Sequence, residues 1–485
     1  MRKRRLKYGY LFRKSYRTAF VLGWILLATV FTTAQSRRVA PQSAAASAAP
    51  EISVKAMFDE ANGYNKARFA EFEQKKVPYT EALRLQTERE QKQLAAKYAA
   101  SAGSRPNLTT DDVYFVGLLH WIAENLDGTN GSLRRYLTMP EPAADKSQTA
   151  RSIIAVIAAK QHRFDDAKTT IAEYLKSTPV KLSDRTRMES ELAKAYFTDK
   201  NYAEAAAHSA EAYKAAKAVL LDSGITQRGL DETLDNGMQL FESHRAAGNA
   251  KEAELALDDL RKTGASIGSP SLFAYAADKL IVYLIDSGRK PLATETYLSM
   301  LIAAGKELPS KPQQDQAVAL IRRREKQYKL LGESAPELTS IDQWFPGNAQ
   351  TMRSLRGKVV LLDFWATWCG PCFDAFPALA EWHRDQGPDG LVVLGVTRYY
   401  GRGDGSQLDI PNEIAFLKRF KGKHDLPYDF VVAKDQTSQF AYAATGLPTT
   451  VLIDRKGVIR YIESGTNPTR VEELRQVMLR LLEEK

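Results

Sequence analysis

The chain's 485 residues include two cysteines, Cys369 and Cys372, separated by Gly370 and Pro371. A Cys-x-x-Cys directly after a strand and at the start of a helix is the setting of reversible dithiol–disulfide exchange. Exchange needs a thiolate, so the first cysteine must ionise below the free value of about 8.5. A helix running from Gly370 onward gives Cys369 unpaired backbone N–H groups and the positive end of the helix dipole. Pro371 suits that first turn, where its missing N–H costs nothing. One turn brings Cys372 back to resolve a mixed disulfide. Trp368 offers a flat apolar surface against which a partner strand can lie. Asp363, at the inner end of the preceding strand, is expected to be desolvated, with a raised pKa, and to shuttle the proton of Cys372. The plainer alternative is a strand-end aspartate hydrogen-bonded locally.

Other chemistries fit less well. A zinc site needs two more ligands, and the chain offers no further cysteine and only six scattered histidines, so no metal and no cofactor are expected. A purely structural disulfide across so short a loop would be strained.

The elements that must position the pair can be read around it. Val359–Leu362 is a β-branched and apolar run, the pattern of a strand buried on both faces. Phe373–Gln386 reads as a helix containing Pro377, where a kink is expected. Leu391–Thr397 is a second buried strand, so strand–helix–strand predicts a right-handed parallel crossover. Tyr399–Ile410 is a Gly/Asp-rich loop. Its flank, Arg398-Tyr399-Tyr400-Gly401-Arg402-Gly403, follows a strand's carboxyl end, where ligand sites gather in open α/β sheets; a solvated loop is the simpler reading. Asn412–Lys421 and Thr437–Ala443 read as helices and Asp429–Val432 as a strand. Thr450–Asp454 and Val458–Ser464 form a hairpin across Arg455-Lys456-Gly457, and Thr469–Leu482 closes as an amphipathic helix. The Leu447–Pro448 bond can be cis at modest cost, which exposes the backbone of the preceding residue.

These residues carry a resemblance. Asp363-Phe364-Trp365-Ala366-Thr367 followed by Trp368-Cys369-Gly370-Pro371-Cys372 resembles the thioredoxin superfamily. Gly332-Glu333-Ser334-Ala335-Pro336-Glu337-Leu338, then Leu355-Arg356-Gly357-Lys358-Val359-Val360, is similar to the opening of the TlpA/ResA-type thiol–disulfide oxidoreductases. Gly446-Leu447-Pro448-Thr449-Thr450-Val451-Leu452-Ile453-Asp454 resembles that family's cis-proline segment and the strand after it. The resemblance covers about the last 155 residues. It implies a thioredoxin fold, an exported location, disulfide-containing client proteins, and a membrane donor that re-reduces the pair. It also implies that Pro448 and Leu447 face the first cysteine and dock a partner backbone by β-addition, Leu447 tuning preference. Two positions depart from the family: Ala375 stands where many members carry glutamate, and Asp363 where many carry asparagine. The Gly-Pro dipeptide is that of thioredoxin, whose potential of about −270 mV against about −120 mV for an oxidant such as DsbA favours reduction.

Charge excludes another class. The net charge is +10, but residues 1–17 carry eight lysines and arginines and no acids. The basicity is local, and nucleic-acid binding is not expected. The apolar run Thr18–Phe31 and small residues to Ala34 complete the plan of a secretory signal, either cleaved or retained as an anchor through residues 18–34. The positive end then stays cytoplasmic and the body faces the periplasm or another extracytoplasmic space. Export places the dithiol where disulfides persist.

The whole chain reads as multidomain: residues 1–34 signal, 35–50 an Ala/Ser/Pro linker, 51–331 an all-α array of helical hairpins, and 332–485 an α/β thioredoxin-like fold. In the array, Phe164-Asp165-Asp166-Ala167, Tyr202-Ala203-Glu204-Ala205 and Ala250-Lys251-Glu252-Ala253 each follow a polar turn, with Pro291-Leu292-Ala293 a poorer fourth. Their alanines lie 38, 48 and 40 residues apart, near the tetratricopeptide period. Leu192, Ala195 and Tyr196, and Leu255 and Leu260, are candidate core positions. Such an array serves protein binding or spacing. Competing expectations are a binding adaptor in which the dithiol is secondary, a disulfide oxidant or isomerase, and a peroxide-reducing enzyme. The last lacks a cysteine in a Thr-x-x-Cys setting.

Overall fold

The computed structural model describes residues 52–222 and 224–484. The expected signal 1–34, linker 35–50 and anchor 18–34 lie outside the described residues. Among the described residues no helix is long and apolar enough to cross a membrane.

From Val54 to Leu330 the chain is a succession of helices, each packed on the next. Their turns repeat one device. Glu124, His162, Lys200, Gly248, Gly268 and Gly288 each adopt positive φ at a helix end. The following N–H then bonds five residues back: Asn125 to His120, Arg163 to Ala158, Asn201 to Tyr196, Asn249 to His244, Ser269 to Gly264 and Arg289 to Leu284, at 2.8–2.9 Å. This is the Schellman closure, which satisfies carbonyls a helix end leaves open. Five residues after the left-handed position come Ala167, Ala205, Ala253 and Ala293, all buried. Small side chains there let paired helices approach closely. One more hairpin obeys the same rule with buried Thr129 five residues after Glu124. The alanine pattern misses it because threonine takes the alanine's place. Leu260 is buried as expected, but Leu255 is 56% exposed: it lies on the outer side of the helix Ala250–Ser266.

The C-terminal unit holds β1 (Ile341–Phe345), β2 (Val359–Phe364), β3 (Leu391–Arg398), β4 (Arg402–Gly403), β5 (Ser406–Gln407), β6 (Asp429–Ala433), β7 (Thr449–Ile453) and β8 (Ile459–Ser464). The main sheet runs β1-β6-β3-β2-β7-β8. β2 lies centrally, parallel to β3 and antiparallel to β7. One sheet face, through Val359, Leu361 and Trp365, packs beneath the helices Gly370–Gln386, Ile410–Lys423 and Pro468–Glu483. The other, through Val360, Leu362 and Phe364, shares one hydrophobic cluster with Leu257, Leu280 and Leu284 of the array.

That shared core is closed by polar contacts along β8. Gly332 donates to the Ile459 carbonyl at 2.8 Å, and Ile459 donates back to Glu333 at 2.9 Å. Arg324 pairs with Asp278 at 2.8 Å and donates to the Ile462 carbonyl at 3.0 Å. Tyr328 donates to Asp278, and beside the strand Tyr275 and Lys279 both reach Glu473 of the helix Pro468–Glu483, at 2.7–2.8 Å. The array thus covers what would be an open sheet edge.

Several boundaries differ from expectation. The helix Gly370–Gln386 starts where the sequence places it, with Cys369 as its N-cap, and carries on through Pro377. The loop Tyr399–Ile410 contains the short pair β4–β5. Asp409 accepts from the Asn412 amide at 3.0 Å, so the next helix opens at Ile410 and not Asn412. The helix expected over Thr437–Ala443 stops at Ala441, with Ala443 at positive φ. β1 was not anticipated, since its interleaved Asp342 and Gln343 break the apolar run and it sits at the sheet edge.

Candidate functional site

Cys369 and Cys372 are joined in a disulfide at the start of the helix Gly370–Gln386, and both are buried. The buried run of β2 delivers the chain to this point. After Phe364 the backbone leaves the sheet, and the Cys372 amide donates to the Cys369 carbonyl at 3.0 Å to open the helix. Trp368 beside the pair is 50% exposed, an indole held at the surface of the site.

Beneath the helix lies Asp363. It pairs across the sheet with Gly395 on β3 and Thr450 on β7. Strand alternation puts its side chain on the same face as Leu361 and Trp365, the face that carries both cysteines. It is fully buried, and neither carboxyl oxygen has a hydrogen-bond partner. With no cation beside it, burial pushes the carboxyl up to about 7. The locally hydrogen-bonded aspartate is therefore not what the structure contains.

Gly395 is what makes room there. A Cβ at that position would come within 2.7 Å of the Trp365 indole nitrogen and 2.9 Å of the Phe430 Cβ. Trp365 is locked by stacking on Phe420 at 5.3 Å and by an edge contact with Phe430 at 5.4 Å. The buried Tyr428 hydroxyl, also without a partner, is pushed up mainly by its burial and further by the Asp363 charge. Trp365 enters the sequence reading only as part of a motif, with no role of its own, and Tyr428 not at all; each looks like an ordinary core aromatic.

The Leu447–Pro448 peptide bond is cis. Pro448 lines a shallow cleft with Ala375, Ala378, Trp382, Thr450 and Glu463. Leu447 is half-buried, with its side chain against the core. Among the described residues no group of His, Cys, Asp and Glu could hold a metal ion.

The loop after β3 also reaches the site. Tyr400 meets Trp368 edge to face at 5.4 Å, and the Arg402 guanidinium lies 5.3 Å from the Trp368 ring. The sequence could mark this segment only as following a strand's carboxyl end; its contact with Trp368 is tertiary.

Residues 330–478 match the family model Redoxin. Protein DipZ of Mycobacterium bovis is 34% identical over 146 residues, 29% of this chain and 20% of that protein. The chain therefore spans about a fifth of DipZ. Thioredoxin-like protein YneN of Bacillus subtilis is 30% identical over 135 residues, 28% of this chain and 72% of that protein. Thiol-disulfide oxidoreductase ResA of Geobacillus kaustophilus is 28% identical over 142 residues, 29% of this chain and 74% of that protein.

Proposed function

We propose, because the chain belongs through residues 330–478 to the thioredoxin-like Redoxin family and is related there to ResA-type thiol–disulfide oxidoreductases, that it reduces disulfides in client proteins. The observation that carries this reading is the Cys369–Cys372 disulfide at a helix start above a buried, unpartnered Asp363. In the reduced protein the Cys369 thiolate attacks one sulfur of a client disulfide. A Cys369–client mixed disulfide forms and one client thiolate leaves. Asp363, ionised in part near neutral pH, takes the Cys372 proton. The Cys372 sulfur then attacks Cys369 and displaces the second client thiolate. Two electrons pass to the client, and the enzyme is left with the intramolecular disulfide. The Asp363 proton and one from solvent complete the client's two thiols.

Leu447–Pro448 and Trp368 form the docking surface for the client backbone in this reading. The resemblance to TlpA/ResA-type proteins supports a dithiol donor at the membrane that returns the two electrons. The basic, apolar and small-residue order of residues 1–34 supports an extracytoplasmic location, with the helical region 51–331 holding the redox unit from its β8 side.

Two measurements test the reading. Equilibration with glutathione or dithiothreitol gives the reduction potential of the pair, expected near thioredoxin's value of about −270 mV; a value near −120 mV assigns an oxidant instead. Cys372→Ser is expected to accumulate mixed disulfides through Cys369. A Cys372→Ser protein that traps no disulfide-bearing protein overturns the proposal.

A further inference from the structure

The segment 398–403 is built more firmly than a solvated loop requires. Glu413, itself buried, accepts from the Tyr400 amide at 2.8 Å and the Gly401 amide at 3.0 Å. The Tyr399 hydroxyl donates to Asp342 at 2.7 Å and its backbone amide donates to the Ala433 carbonyl at 3.2 Å. A buried carboxylate spent on two loop amides holds the backbone in one conformation. What it holds is a cluster. The Arg398 guanidinium lies 4.1 Å from the Tyr400 ring, Tyr400 abuts Trp368, and Arg402 stands over the indole.

Neither arginine has an acidic partner among the described residues, whereas Arg419, close by, pairs with Asp404 at 3.3 Å. Arg398 gives one N–H to the Tyr399 carbonyl at 3.0 Å and its Nε is buried, whereas Arg402 is exposed, and stacking orients its guanidinium while leaving the in-plane N–H groups open to a carboxylate. Trp368 adjoins Cys369 in the chain and is half exposed. A disulfide presented to Cys369 must lie against that indole, within reach of Arg402.

We propose that Arg398 and Arg402, mounted on Tyr400 and Trp368, select clients whose redox-active cysteine is flanked by aspartate or glutamate. This inference rests on the reductase reading and names the substrate class for the same site. The cations steer acidic segments during encounter and fix their register once docked, an effect on rate more than on final affinity.

The test uses the reduced full chain and three peptides, each closed by one intramolecular disulfide. They differ only in the two residues flanking one cysteine, which are aspartate, asparagine or lysine. Oxidation of Cys369–Cys372 is followed by tryptophan fluorescence. The aspartate peptide is expected to react roughly fivefold faster than the asparagine one, the size of an effect from partly exposed ion pairs, and the lysine peptide slowest. The spread should shrink at high salt. In Arg398→Gln/Arg402→Gln the aspartate-to-asparagine ratio is expected to fall to near one; as a ratio within one protein, it is insensitive to partial misfolding. Equal rates for the three peptides overturn the acidic preference, and a ratio that persists in the double variant overturns its assignment to Arg398 and Arg402; either result leaves the reductase reading standing. A chain that reduces none of the peptides overturns both.

Discussion

Asp363→Asn separates the chemistry of this site from its stability in one variant. Burial lifts the carboxyl from 3.8 to about 7, so the folded protein holds this proton more tightly than the unfolded chain does. The stability linked to that proton is fully present below the unfolded value and is lost as pH rises through 7. Integrating between the two pKa values, the fold's preference for the protonated carboxyl lowers stability by about 2 kcal/mol at pH 5, where only the unfolded chain ionises, and by about 4 kcal/mol at pH 8. An amide cannot ionise and escapes that cost. The variant should therefore gain about 3 kcal/mol more over wild type at pH 8 than at pH 5. Any difference in how amide and acid pack is independent of pH and cancels in the comparison. Guanidinium unfolding of the oxidised protein, followed by tryptophan fluorescence at both pH values, measures it. The same variant should resolve mixed disulfides roughly 10²-fold more slowly at neutral pH, and its rate should lose the inflection near 7. A stability difference that is the same at pH 5 and pH 8 refutes the reasoning, because the carboxyl would then titrate as an ordinary aspartate.

Two further outcomes follow from the packing. Gly395→Ala pushes a methyl group into the Trp365 nitrogen and the Phe430 Cβ; it should destabilise by about 1–3 kcal/mol and shift the tryptophan emission, and an unchanged midpoint would mean the indole has room to move. Arg324→Ala leaves Asp278, Glu463 and the Ile462 carbonyl without their cation; a loss of about 3 kcal/mol is expected, read as faster amide hydrogen exchange along β8, and unaltered exchange there would show that the seam is held by its apolar contacts alone.

Local patterning made much of the molecule legible. The Cys369–Cys372 spacing named the chemistry, because two thiols one helical turn apart have few other uses. The runs Val359–Leu362 and Leu391–Thr397 marked central strands, since a strand covered on both faces must be apolar throughout. Alanines about 40 residues apart marked the helical hairpins, since close helix approach demands small side chains. The hairpin at Thr129 escaped because threonine stands where four others carry alanine, and the turn at Gly268 departs further, with buried Phe273 at the corresponding place.

Other properties belong to neighbours distant in the chain. The Asp363 pKa depends on burial by the strands and helices packed around it, with neither carboxyl oxygen receiving a hydrogen bond, and desolvation by other elements has no signature in a strand's own sequence. The covering of β8 depends on charges such as Asp278, which holds Arg324, and Asp286, which pairs with Arg460 of β8 at 2.6 Å, and these read singly as solvated faces. The arginine cluster needs Arg398, Tyr400 and Arg402 to meet Trp368 some 30 residues earlier, with Glu413 bonding the loop from below. Sequence periodicity records which face of one element is buried; which polar groups meet there, and which find no partner, is settled only when the elements pack.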